Sequence, residues 1–385
     1  MRTIGIVTGT RADYGILKPL IKRIHDSEEV ELKIFVTGMH LSQEFGMTVN
    51  EIKNDGFPIA EEIEILLSSD SKRAMVKSMG LAMISFSEVL ERYNLDLIVI
   101  LGDRFEALAV AITANTLSIP IAHIHGGETT EGAIDEGFRH AITKFSQLHF
   151  ASTDEYKKRI IQLGENPNNV YNVGAMGIEN IKTLSLLERD EVYKKYNLNK
   201  SKDLIICTYH PETMLNSNGI KEVEALIEVL ENYKKNYNII ITKSNADANG
   251  RIFNELWDRF ANENEDVHSY FSLGMYNYLS AVSHSKFVIG NSSSGIIEVP
   301  SFGVPTINIG NRQKGRVQAN SIINSNASVA GLTNAIETAI NSDYSNVQNP
   351  YEGEFTSKNI FQIIMSNIDN LYMEKSFYDI EVKNL

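Results

Sequence analysis

One cysteine, Cys207, stands in 385 residues. A lone thiol closes no intrachain disulfide, and its place in the apolar run LIICTY predicts a buried core side chain in a reducing, cytoplasmic setting. Long hydrophobic runs are missing too. None reaches the roughly 18 residues of a membrane span, and the opening MRTIGIVTGTR is broken by Thr8 and Arg11 before a signal-peptide core forms. Positive charge is in deficit, with 36 Lys and Arg against 49 Asp and Glu and a net charge of −13. Such a surface repels polyphosphate, which argues against nucleic acid or an anionic membrane as partner; any phosphate has to be held by a local cluster of donors. Prolines number 8, so Pro211, Pro300 and Pro305, each beside an apolar run, read as deliberate breaks.

What is present is 43% hydrophobic residues in a chain longer than one core usually serves, so two domains are expected. Strand and helix patterns alternate throughout, the signature of α/β architecture with chemistry at strand ends. Thr3 to Val7 is a β-branched strand leading to Gly9, Arg11 and a helix from near Asp13. Arg11 is either a solvated charge or a bidentate phosphate ligand. Residues 72 to 93 form an amphipathic helix in which Met75, Met79, Met83 and Phe86 fill core, and whose apolar face offers a dimer seam. The apolar strand Leu97 to Leu101 ends at Asp103 and Arg104, where open α/β sheets bring residues to a crevice; Asp103 alternatively caps the helix that follows.

The densest chemistry lies between 119 and 140. A strand runs into His125, Gly126, Gly127 and Glu128, followed by Asp135, Glu136, Arg139 and His140 within two helical turns. Asp135 with Arg139, and Glu136 with His140, are four apart and share faces. They make either surface ion pairs of little worth or an acid/base set for a sugar. His125 reaches the turn, whereas His123 and His149 read as structural and core residues. Farther on, Pro211 ends a strand and aims His210 at a crevice, Asn245 stands at another strand end, and a loop holds Phe271 and Leu273. In KFVIGNSSSGIIEVPSFGVPTINIG, residues 286 to 310, an apolar strand turns at Gly290 into Ser292, Ser293 and Ser294 at a helix start. That is an anion site in outline, or a plain serine cap. Glu298, one to two turns into the helix, is spaced to accept two ribose hydroxyls. The basic loop of Arg312, Lys314 and Arg316 is expected beside the turn.

On these residues the chain resembles the UDP-N-acetylglucosamine 2-epimerase family, most of all its hydrolysing, bacterial sialic-acid-pathway branch. GTRADYG at 9 to 15, LGDR at 101 to 104, HIHGGE at 123 to 128, DEGFRH at 135 to 140, HPET at 210 to 213, SNAD at 244 to 247 and GNSSSGIIEVPS at 290 to 301 carry the likeness. It implies two Rossmann-like doubly wound domains facing a central cleft, of glycosyltransferase-B type. The expected divisions are 1–173 with the catalytic carboxylates, 174–355 with the UDP site, and 356–385 as a helix and tail returning to the first domain. It implies uridine diphosphate binding by Arg11, Arg104, His210, Asn245, Ser292, Ser293 and Glu298, with Glu128, Arg139, Leu273, Ser294 and Arg316 added to the substrate set. Catalysis falls to Asp103, His125, Asp135, Glu136 and His210. The His125 position is glutamate in several relatives, so the proton donor there stays open. The implied reaction takes UDP-N-acetylglucosamine to UDP and N-acetylmannosamine through a glycal, with no cofactor and no metal. Asp103 or Asp135 takes the C-2 proton, and His125, Asp135 or Glu136 returns one. A UDP-linked diacetamido-trideoxy sugar, with residues around Asp70 or His40 deciding, and epimerisation of UDP-N-acetylglucosamine without hydrolysis are the alternatives. A homo-oligomer, dimer or tetramer, is expected.

Overall fold

The computed structural model describes residues 1–69, 71–131, 133–211, 219–244 and 250–380. They fall into two compact units: residues 1–128, 135–180 and 351–385 form the first, and 129–134 with 181–350 form the second.

The first unit is built on seven strands: β1 (Arg2–Thr8), β2 (Val30–Thr37), β3 (Ile59–Ile63), β4 (Leu97–Leu101), β5 (Ile121–Ile124), β6 (Leu148–Ala151) and β7 (Val170–Asn172). All pair in parallel, in the order β3-β2-β1-β4-β5-β6-β7. Their near-continuous apolar sequences follow from burial on both faces. In β4, Leu97 and Val99 enter one core while Ile98 and Ile100 enter the other, the two-residue alternation of a pleated strand.

In the second unit β8 (Asp203–Thr208), β9 (Tyr237–Thr242), β10 (Val267–Tyr270), β11 (Ser285–Gly290), β12 (Thr306–Ile309) and β13 (Ile322–Ser325) lie parallel in the order β10-β9-β8-β11-β12-β13. Here Ile205 and Cys207 face one core, Leu204 and Ile206 the other. Burial pushes the Cys207 thiol up, out of reach of physiological ionisation. Each unit thus reverses its strand order once, between β1 and β4 and between β8 and β11, and the carboxyl ends of those pairs are where such sheets bind ligands.

The unit divisions at 180/181 and 350/351 differ by a few residues from those expected. Packing explains the shift. Asn180 donates to the Gly15 carbonyl at 3.1 Å, Glu179 takes the N–H and hydroxyl of Ser357 at 2.6 and 2.7 Å, and the Tyr351 and Tyr156 hydroxyls meet at 2.9 Å. In the C-terminal helix Thr356–Asn367, Ile360 and Ile364 are buried with Leu17 and Leu20. The helix Lys72–Glu91 buries Ala74, Ser78, Ala82 and Phe86, with Met75 and Met79 partly covered. Met83, expected in the core, faces outward, because Ala82 and Phe86 occupy the inward turn.

Candidate functional site

Both β1 and β4 end in turns at the first unit's reversal point. After β1, Thr10 caps the helix Arg11–His25, its hydroxyl accepting from the Asp13 N–H at 3.2 Å. The helix therefore starts at Arg11 rather than near Asp13, and the Arg11 guanidinium pairs with Glu51 at 2.8 Å. Burial raises the pKa of Asp13 to about 6, against the pull of Arg104. After β4, Gly102 adopts a φ of +76°, and Arg104, not Asp103, occupies the cap position of the helix Phe105–Thr116. Arg104 Nε donates to Glu106 Oε1 at 2.7 Å. At Gly9 a Cβ would lie 2.5 Å from that same oxygen, so any larger residue there has to push the Glu106 side chain aside.

Freed from capping, the Asp103 carboxylate accepts from Arg139. Arg139 is 1% exposed and donates as well to Glu136 Oε2 at 2.6 Å and to the Glu128 carbonyl at 2.8 Å. For Arg139 burial disposes of the surface-pair reading, since a guanidinium taken out of water gathers acceptors from several elements at once, whereas the Glu136–His140 pair stays half-exposed. It turns to Glu136, three residues back, and across to Asp103, while the other Glu136 oxygen meets His140 Nε2 at 3.2 Å. The helix carrying this set is Asp135–Phe145.

His125 sits at φ +66°, a region that strains any residue but glycine by about 1–3 kcal/mol. Its Nδ1 lies 3.3 Å from Glu128 Oε1, and its Nε2 lies 3.4 Å from the Met176 N–H. Glu128 is enclosed and accepts the Ser152 hydroxyl at 2.8 Å. His123 is buried, with Nε2 at 2.8 Å from the Gly102 carbonyl and Nδ1 at 3.1 Å from the Thr143 hydroxyl. A carbonyl only accepts, so the proton resides on Nε2 and Nδ1 accepts from threonine. Burial lowers its pKa to about 3, keeping the ring neutral.

In the second unit β11 ends at Gly290, φ +144°, where a Cβ would stand 1.9 Å from the Thr208 carbonyl. The Asn291 side chain then joins the turns after β8 and β11, accepting from the His210 N–H at 2.7 Å and donating to its carbonyl at 2.8 Å. The Asn291 carbonyl accepts from Arg312 at 3.1 Å and Gln313 at 2.9 Å. Ser292 caps the helix Ser293–Ile297, which is shorter than expected; Glu298 closes it instead of lying inside it, because Pro300 follows in a tighter turn. So short a helix has a small dipole, and an anion here would rest mainly on N–H and hydroxyl donors. Ser294 donates to Glu298, whose carboxyl is pushed up by burial and drawn back by that bond.

The remaining expected residues differ in burial. Leu273 belongs to the core. His40 is buried between the Thr8 hydroxyl at 3.0 Å and the Thr48 hydroxyl at 2.8 Å, burial lowering its pKa to about 4. Arg316 is half-buried. Asn245, Glu212 and Asp70 lie outside the described residues. Asp13 and Glu106, flanking Arg104, were missed, as was Tyr278, whose buried phenol neighbours Ser294 and Glu298. The Glu two residues after Arg104 was the legible signal for one of them; Tyr278 sits in an apolar helix that gives none.

A family model described as UDP-N-acetylglucosamine 2-epimerase matches residues 22–365. The hydrolysing GDP/UDP-N,N'-diacetylbacillosamine 2-epimerase of Campylobacter jejuni is 43% identical over 325 residues, 84% of each chain. Polysialic acid biosynthesis protein P7 of Escherichia coli is 38% identical over 385 residues, 99% of this chain and 98% of that one. In fold, the crystal structure of a UDP-GlcNAc 2-epimerase from Neisseria meningitidis bound to UDP-GlcNAc superposes with a TM-score of 0.78 at 18% identity, covering 95% of this chain and 100% of that one.

Proposed function

Because the chain belongs to the UDP-N-acetylglucosamine 2-epimerase family, we propose that it is a hydrolysing 2-epimerase that converts UDP-N-acetylglucosamine to UDP and N-acetylmannosamine. One observation carries the reading: Arg139, buried, holds Asp103 and Glu136 together at the carboxyl end of β4. A carboxylate paired with a guanidinium is a weak base, and the hydrogen on C-2 is a weak acid. Proton removal therefore has to follow cleavage of the C-1 to oxygen bond, whose electrons leave with UDP while positive charge builds on the ring. Arg11, His210 and the donors at Ser292 and Ser293 stabilise the departing diphosphate. Glu298 accepts the ribose hydroxyls. Asp103 takes the C-2 proton and leaves a glycal. Water then adds to C-1 as hydroxide, while His125, Asp135 or Glu136 gives a proton to the opposite face of C-2 and regains one from that water. Asp103 releases the abstracted proton to solvent.

A second reading keeps the chemistry and changes the sugar to UDP-N,N'-diacetylbacillosamine. It is favoured by the names of the Campylobacter relative and of a Legionella pneumophila relative, 35% identical over 365 residues. Both sugar nucleotides, each incubated with pure protein in heavy water without acceptor, separate the readings. Free N-acetylmannosamine deuterated at C-2 supports the first, a free diacetamido product the second, and an epimerised sugar still joined to UDP overturns hydrolysis.

The working form proposed is a homodimer of helices 72–91. Val76 and Ile84 are 67% and 63% exposed on one face, and a Cβ built on Gly80 between them meets nothing within 4 Å. Basic Lys72, Arg73 and Lys77 occupy one end, acidic Glu88 and Glu91 the other. A two-fold axis through Gly80 sets Val76 against Ile84 and Lys72 against Glu88 of a second copy.

A further inference from the structure

The helix Asp135–Phe145 packs on the core along one stripe, with Ile142 buried and Phe138, Ala141 and Phe145 half-buried against it. Along it only Arg139, Ile142 and Thr143 are buried. Its N-terminal half is fixed by the Arg139 contacts, while its C-terminal end presents carbonyls that no later turn of helix can satisfy. Lys375 meets them from the C-terminal tail. Its ammonium lies 3.0 Å from the Lys144 carbonyl, 2.6 Å from the Ser146 carbonyl and 2.6 Å from Glu165 Oε2, so each of its three protons has an acceptor. Glu165, itself buried, also takes Lys144 Nζ at 2.6 Å and His149 Nε2 at 3.1 Å. Two residues on, the Phe377 ring lies over Gly164, where a Cβ would stand 2.3 Å from it, and the Tyr378 N–H donates to the Gly164 carbonyl at 2.9 Å. Phe377 and Tyr378 remain largely exposed. The tail is thus held by polar contacts around one ammonium group more than by buried area.

We propose that Lys375 is a positioning residue: as a latch on the C-terminal end of helix 135–145, it fixes that helix along its axis and so sets where Glu136 and Arg139, with Asp103, present their charges. This rests on the reading that helix 135–145 carries acid–base groups. A cation at a helix C-terminus is favourable in itself, but this one also bridges to Glu165, outside the helix, which turns end stabilisation into placement. Loss of the latch leaves the nucleotide-binding residues of the second unit untouched and lets the helix slide or fray at the far end from the chemistry.

Lys375→Cys tests it, since the only native cysteine, Cys207, is buried and aminoethylation with 2-bromoethylamine then rebuilds an ammonium at the same reach. A displacement of about an ångström costs on the order of 10²-fold in rate, so kcat is expected to fall by about 10- to 100-fold. KM and UDP affinity are expected to stay within about twofold, as for loss of transition-state placement alone. Amide exchange across 136–146 is expected to quicken. Aminoethylation restores both kcat and exchange protection. A kcat unchanged while thermal stability drops overturns the proposal, as does an aminoethylated protein that regains protection without rate. If the wild type releases no free sugar, the epimerase reading fails by itself, and unchanged exchange in Lys375→Cys still refutes the latch.

Discussion

Arg139→Met removes the cation on which the first unit's charges converge while leaving an unbranched side chain to fill most of the space. Breaking a buried ion pair from one side costs about 3–5 kcal/mol, because the remaining charge is stranded. Asp103 and Glu136 keep 24% and 26% of their side chains exposed, so water relieves part of that penalty and the lower end, about 3 kcal/mol, is expected. For a unit of about 200 residues this amounts to a fall in Tm of roughly 6–12 °C. Urea unfolding followed by circular dichroism measures it. The decisive comparison adds Asp103→Asn and Glu136→Gln to Arg139→Met: with the carboxylates neutral as well, most of the lost stability returns, although turnover does not. If Arg139→Met costs less than about 1 kcal/mol, or if the triple variant is no more stable than the single, the guanidinium is not what neutralises this pair.

Asp103→Asn is expected to lower turnover by at least about 10²-fold with UDP binding intact by calorimetry; near-wild-type turnover removes Asp103 from the reaction. Acid sensitivity follows from buried imidazoles. His123 and His40 hold pKa values of about 3 and about 4 when folded, so below about pH 6.5 the unfolded chain takes up protons that the folded one refuses, and stability falls with pH across that window. His123→Gln, which keeps a donor and an acceptor, flattens the slope of stability against pH measured by urea melts; an unchanged slope refutes the assignment. Glu165 is held at about 2, burial pushing it up but His149, Lys144 and Lys375 prevailing. Its contribution is complete above its ordinary value of 4.5 and is lost as pH falls through about 2, so Glu165→Gln should cost stability at pH 7 and nothing at pH 2. Ile84→Glu should yield monomer in analytical ultracentrifugation, and a dimer that survives it places the seam elsewhere.

Strand periodicity and the residues at strand ends were open to reading because both depend on local rules. Apolar runs such as LIVIL and LIIC require burial on two faces, and Gly102, Gly290 and Pro211 mark the turns. The destinations of side chains were not local. Asp103 and Arg139 are 36 residues apart in sequence, and nothing near either one announces the other. The direction of Met83, the inward fate of Glu128 and His40, and the shortness of helix 293–297 were each decided by neighbours from distant segments. Glu165 and Lys375 lay in stretches of ordinary polar composition, where a charge reads as solvated until the fold removes its water.

Asn291 has a consequence of a mechanical sort. With one amide it grips both polar groups of the His210 main chain, and its own carbonyl anchors Arg312 and Gln313. Three segments that leave different strands are riveted at a single residue, so the turns after β8, β11 and β12 behave as one plate. A shift of the turn at Ser292 must drag His210 with it, because the residue between Gly290 and Ser292 carries both bonds to the His210 main chain.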